Sequence, residues 1–228
     1  MVIFPLNKKS FKLVGVISHL GIITDLERGF RLEGSVDKAV VSVKELCEFC
    51  VENDIEFCSL FLFGKVYPEE YEKQKFIREM ACLLLNDEFF SNIRISVMGR
   101  WAELSEISND VNALLSKEKK ETKLTLSLFL NYSQREEIVD VIRVITKKIE
   151  LGKISPEEVT RYVVDEHIQP DVPDLSVVLF FNTDGFGDFV GFKLSTAIFG
   201  LSEKSFIEVR RQDIFEAIKK TGYALIKH

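Results

Sequence analysis

The chain has 228 residues, 46% of them apolar, enough to bury the core of one large α/β domain spanning residues 1–228. A formal net charge of -6 and a pI near 5.3 exclude nucleic acid as a main partner, which would call for a basic face. Charges are interspersed rather than blocked, and no apolar run reaches the roughly 18 residues that would span a bilayer, so a cytoplasmic chain without a transmembrane segment is expected.

The first strand is expected over residues 13–18. The chain then runs through Ser18-His19-Leu20-Gly21-Ile22-Ile23-Thr24-Asp25, read as a loop with one glycine, no carboxylate before Asp25 and no Lys or Arg before Arg28. In an α/β protein a ligand sits at such a mouth, yet this loop looks stripped of phosphate-binding chemistry. A helix follows over 35–53, with Ser35 as cap and a stripe of Val36, Val40, Val43, Leu46, Cys47 and Cys50 at helical spacing. Further strands are expected at 55–63, 93–98, 123–132, 175–182 and 206–210, several apolar on both faces. Further helices are expected at 67–90, 100–117, 135–151, 155–166, 189–199 and 212–224. Ser155-Pro156-Glu157-Glu158 carries a capping-box signal with proline in the first turn. Strands without clear alternation, separated by helices, predict a single-domain α/β fold: an open, mostly parallel six-stranded sheet with helices on both faces.

Cys47 and Cys50 form a C-x-x-C, but no second pair stands at metal-ligand spacing, and both fall on or near the apolar stripe. They are read as small core residues. His19 has no ligand-type neighbour close in sequence and is read as structural or solvent-facing. Thr183, Asp184 and Asp188 read as a solvated turn. Phe180, Phe181, Phe186, Phe189, Phe192 and Phe199 crowd one stretch, which points to a core, a lipid cavity or a subunit interface.

The segment Asn131-Tyr132-Ser133-Gln134-Arg135-Glu136-Glu137-Ile138 resembles the Asn-Tyr-Gly-Gly-Arg-x-(Asp/Glu)-Ile motif of the cis-prenyltransferases, the family of undecaprenyl and dehydrodolichyl diphosphate synthases. Phe63 matches a second family motif, Phe-Ser-x-Glu-Asn. Gly99 matches the glycine of a Gly-Asp pair, with Arg100 in the Asp position, and Pro173-Asp174-Leu175 matches the lead-in to the last active-site strand. The resemblance implies condensation of isopentenyl diphosphate with an allylic diphosphate, helped by magnesium and arginines. It also implies losses. Counted from the expected first strand, Ser18 and His19 take the places of Met and Asp in the family's Met-Asp-Gly-Asn-Gly-Arg-Trp loop. The stretch 179–187, where the family carries Arg-x-Gly-Gly-Glu-x-Arg-x-Ser, holds no basic residue, and Ile198 falls near the position of a metal-binding Glu.

The expectation is therefore a degenerate member acting as a non-catalytic subunit of a polyprenyl diphosphate synthase, without a catalytic residue, metal ligand or cofactor of its own. The alternatives are a divergent active enzyme and a polyprenyl-lipid-binding protein. Arg28, Asn131 and Arg135 are the candidates for substrate binding, though Arg135 equally suits a turn or an ion pair, and Asn131 suits loop backbone groups. Phe186, Phe189, Phe192 and Phe199 are placed on one helical side as an interface, for a homodimer or for a catalytic cis-prenyltransferase subunit. The helix around Phe76 lines a lipid tunnel on one reading and ordinary core on the other. The location is cytoplasmic, with attachment to a membrane surface as a variant.

Overall fold

The computed structural model describes residues 17–26, 32, 34–67, 70–105, 107–116, 122–168, 173–183, 194 and 196–222. Its strands are β1 (His19–Ile23), β2 (Phe57–Phe61), β3 (Arg94–Met98), β4 (Thr125–Phe129), β5 (Val177–Phe181) and β6 (Ile198–Ser202). They form one six-stranded sheet in the order β3-β4-β2-β1-β5-β6. Every adjacent pair is parallel, from Leu20 opposite Val177 to Ile95 opposite Leu126. The sheet is open, as expected, and wholly parallel.

The helices are α1 (Val36–Glu52), α2 (Tyr71–Asn86), α3 (Ser108–Leu115), α4 (Gln134–Glu150), α5 (Arg161–Asp165) and α6 (Arg211–Lys220). Period-2 alternation sends Leu20, Ile22, Cys58, Leu60, Leu126, Leu128, Val177 and Leu179 into the main core. There they meet the apolar stripes of α1, α2, α3 and α6, including Val43, Leu46, Phe76, Met80, Val111 and Ile214. Phe76 packs edge-on against Phe63, 5.5 Å between ring centres, so the stripe of α2 is part of this core. On the opposite face Ile23, Phe61, Phe129, Val178 and Phe180 pack with Leu175 and Tyr132. Val141 and Ile145 of α4 close a smaller cluster with Ile168.

Two strands differ from expectation. β1 lies six residues further on, at His19–Ile23; residues 13–16 are outside those described, while Ile17 and Ser18 precede the strand. The stretch expected as the last strand, 206–210, is a 3-10 turn (Phe206–Glu208) leading into α6, and the sixth strand is Ile198–Ser202. The helix expected at 189–199 falls largely outside the described residues, and its end, Ile198 and Phe199, is strand. The helix expected at 100–117 is a 3-10 turn (Trp101–Glu103) followed by α3.

Ser35 precedes α1, but its hydroxyl donates back to the Leu32 carbonyl at 2.6 Å and does not cap a helical N–H. Asp87 does cap: its side chain accepts from Phe89 N–H at 2.8 Å, opening the 3-10 turn Glu88–Asn92, and it pairs with Lys44 at 3.3 Å. The Phe89 N–H bond, with help from Lys44, holds the Asp87 carboxyl below its ordinary range against a smaller opposing effect of burial. A depressed carboxyl stabilises the fold above its unfolded pKa and loses that contribution as pH falls through the folded one. Asp87→Ala is therefore expected to lower stability by about 0.5–1 kcal/mol at neutral pH. In urea melts run at decreasing pH, the gap from wild type should close only below the ordinary aspartate range.

Candidate functional site

The carboxyl ends of the strands form two mouths. The strand order reverses around β1, where β2 lies on one side and β5 on the other, and this is where open α/β sheets place ligands. Thr24 and Asp25 follow β1 directly. The Thr24 hydroxyl donates to the Phe61 carbonyl at 3.0 Å, tying the end of β1 to β2. Asp25 has no exposed surface. Its Oδ1 accepts from Phe206 N–H at 3.0 Å and its Oδ2 from the Asn182 amide at 2.9 Å. Asn182 follows β5 in the left-handed region, φ 49°, and its own N–H donates to Ser202 carbonyl at 2.7 Å.

His19 was expected in the loop at the family's acidic position. It is instead the first residue of β1 and is buried. Its Nδ1 meets the Pro173 carbonyl at 2.7 Å and its Nε2 the Ser59 hydroxyl at 2.8 Å. A carbonyl only accepts, so Nδ1 carries the hydrogen, and in the singly protonated ring Nε2 accepts from Ser59. The histidine fastens β1 to β2 and to the lead-in of β5, in line with its structural reading. The reason for the misplacement is local. From Leu13 to Ile23 two apolar stretches flank Ser18-His19, and the later one lies in the strand, so the acidic residue just beyond the strand is Asp25, with Thr24 before it.

The second mouth lies beyond β3 and β4. It is a cleft of about 450 Å³ lined in part by Lys65, Arg100, Asn131, Tyr132, Glu137 and His167. Asn131, buried and at φ 49°, accepts from Val66 N–H at 2.8 Å and donates to the Arg100 carbonyl at 2.8 Å. Both ends of its amide therefore serve loop backbone. Arg100 reaches α4: its guanidinium contacts both Asp140 oxygens at 2.8 and 2.9 Å, Glu136 at 3.0 Å and Glu103 at 3.6 Å. The Asp140 hydrogen bonds raise its pKa against the opposing effect of desolvation. Ser133 caps α4, accepting from Glu136 N–H at 3.4 Å. Two cations of the lining, Lys65 and Arg100, face five carboxylates, Glu103, Glu136, Glu137, Asp140 and Glu166. That balance repels a diphosphate.

Of the candidate substrate ligands, Arg135 is exposed in the first turn of α4 and is not among the residues lining this cleft, and Arg28 lies outside the described residues. Phe186, Phe189 and Phe192 also lie outside them. Phe199 is on strand β6 rather than a helix, 44% exposed, with its ring 6.2 Å from that of Phe180. Cys47, Cys50 and Cys58 are buried together in the main core, and burial, with Cys58 as neighbour, pushes the Cys47 and Cys50 thiols up. Among the described residues no group of three His, Cys, Asp or Glu stands ready to hold a metal, and no helix is long and apolar enough to cross a membrane.

An open all-parallel sheet in this order, with an acidic residue just past its central strand and a polar cleft at the same edge, defines an α/β protein of the kind that places its ligands at the carboxyl ends of the strands. Comparison with known proteins makes this specific. The family model described as "Putative undecaprenyl diphosphate synthase" matches residues 27–223, and the chain belongs to that prenyltransferase family. The tritrans,polycis-undecaprenyl-diphosphate synthase (geranylgeranyl-diphosphate specific) of Archaeoglobus fulgidus is 22% identical over 232 residues, covering 94% of this chain and 92% of that one. An isoprenyl transferase of Wolinella succinogenes is 30% identical over 172 residues, 68% of this chain and 72% of its own length. The fold is shared with the crystal structure of a probable undecaprenyl diphosphate synthase from Campylobacter jejuni, at TM-score 0.73 and 20% identity over 91% of this chain and 95% of that one. It is also shared with lavandulyl diphosphate synthase from Lavandula x intermedia in complex with dimethylallyl diphosphate, at TM-score 0.71 and 18% identity over 90% and 94%.

Proposed function

We propose that this chain is a non-catalytic subunit of a polyprenyl diphosphate synthase, supporting a separate active chain. The observation that carries the reading is the mouth of β5 and β6. Five buried apolar residues, Val177–Phe181, run into Asn182 and Thr183 at that mouth, while Ile198 opens β6 at the other end of the strand pair, level with Val177. The resemblance places arginines at that mouth and a metal-binding Glu near Ile198, and neither is present. A diphosphate carries several negative charges, and desolvating them without cations is too costly for tight binding. The reading implies a homodimer or a pairing with a catalytic subunit. Exposed apolar side chains available to such a contact include Phe199 and Leu201 on the edge strand β6, and Ile142 and Tyr162 on α4 and α5.

The expected result is that the purified chain, given magnesium, farnesyl or geranylgeranyl diphosphate and labelled isopentenyl diphosphate, incorporates no label. Native co-purification with mass analysis should bring down a second family member whose addition allows incorporation. Magnesium-dependent incorporation by the lone chain would overturn the reading. A second reading, an active enzyme with replacement residues, is favoured by one observation: an acidic residue, Asp25, does follow β1. Activity of the lone chain that disappears in Asp25→Asn would establish it.

A further inference from the structure

We infer that Asp25 is a keystone that locks the mouth of β1 to β5 and to the turn before α6, and that it does not hold a divalent cation. The family implies magnesium at this mouth, and the residues present do not fit one. A small divalent cation wants about six oxygen ligands, several of them waters, in an open shell. Asp25 has no exposed surface, and each of its oxygens already accepts a hydrogen bond from an N–H group. A carboxylate accepts but does not donate, so the Asn182 amide must present its nitrogen here; the orientation follows from chemistry. The left-handed backbone at Asn182, φ 49°, turns the chain out of β5, and the Asn182 N–H holds Ser202 of β6. Phe206, fully buried with its ring 6.5 Å from that of Phe181, starts the turn that delivers α6. Ile198, near which the resemblance puts the second acidic ligand, is apolar and opens β6 level with Val177 and Leu20, at the other end of the strands from Asp25. Asp25 thus joins positions 157 and 181 residues away in the chain, a structural task that engages each of its oxygens once, and its complete burial leaves no room for the waters that such a cation keeps.

The inference shares only its location with the proposed function. It is read on the isolated chain by a signal that does not depend on condensation, so either can fail alone. The experiment is amide NMR of the ¹⁵N-labelled full chain titrated with manganese(II), a paramagnetic stand-in for magnesium. The Phe206 amide and the Asn182 side-chain amide should keep their intensity at stoichiometric metal. Selective loss of these two signals at one equivalent would overturn the inference. In Asn182→Ala, hydrogen exchange at the Phe206 amide should rise by about tenfold or more, because the carboxylate loses one of its two anchors. An unchanged exchange rate would show that Asn182 does not hold Asp25 in place.

Discussion

Arg211→Met should lower the stability of the fold by about 2–4 kcal/mol, a drop in melting temperature of very roughly 5–15 °C for a domain of this size. Arg211 is the first residue of α6, and its side chain is 10% exposed. Its guanidinium meets three carboxylates of α1: Glu45 at 3.0 Å, Glu52 at 2.6 Å and Glu48 at 3.5 Å. Its backbone N–H also donates to Glu45, at 3.3 Å. Burial works against the charged form, but Glu52, Glu45 and Glu48 outweigh it and hold the pKa above the ordinary arginine range. A basic group raised in this way by charged carboxylates stabilises the fold around neutral pH, below its unfolded pKa, and that contribution fades in strong alkali. Removing the cation leaves three like charges facing one another at the α1–α6 seam, which is why the loss exceeds that of a surface pair. Arg211→Lys should recover little, since one ammonium cannot replace a fork that reaches three partners. Urea midpoints at neutral pH give the measurement. A loss below about 0.5 kcal/mol would mean that the seam relaxes and the carboxylates turn to water.

Gly99→Ala should cost about 3 kcal/mol, by a different physical route. Gly99 follows β3 at φ 101°, a conformation that side-chain-bearing residues rarely adopt. A Cβ there would sit 2.2 Å from the Leu130 carbonyl oxygen and 3.1 Å from backbone atoms of Asn131. Backbone cannot swing aside as a long side chain can, so the β3 and β4 ends must part. The Arg100 N–H bond to the Asn131 carbonyl, 3.0 Å, and the Asn131 amide bond to Arg100 would stretch with them. Thermal melts should show the loss, and amide exchange should place it at Val66, Arg100 and Leu130. A melting temperature within a degree of wild type would show that the two loops can separate without strain.

Much of the architecture is legible in the chain because burial on both faces writes itself as continuous apolar runs, and helices as stripes with a period near 3.6. The same property hides position. From Leu13 to Ile23 two apolar stretches flank Ser18-His19, so periodicity cannot say which of them forms the strand, and taking the earlier one moves the acidic position from Asp25 to His19. The cue lay at the far end of the run, where Thr24-Asp25 is the first polar pair to carry a carboxylate, after Ser18-His19. The sixth strand escapes the pattern because Ile198–Ser202 carries Gly200, whereas 206–210 alternates like a strand. The site was less legible still. Asp25 meets Asn182 and Phe206, and Arg100 meets Asp140 forty residues on; no local pattern records such pairings. Asn131 is the exception, since its place at a strand-to-helix turn already suggested a residue that satisfies loop backbone.

The position of β1 at the middle of the sheet also governs how the chain acquires its structure. Leu20 pairs with Cys58 on one side but with Val177 on the other. A ribosome that has released only the first two-thirds of the chain can therefore assemble β3, β4, β2 and β1, while β1 remains an open apolar edge awaiting β5. Closing that edge means joining ends of the chain separated by more than 150 residues, a slow step for a parallel sheet. During that interval the unpaired edge of β1 is the most exposed template for aggregation, so nascent-chain capture by a chaperone should centre on residues 19–23 and end when β5 emerges.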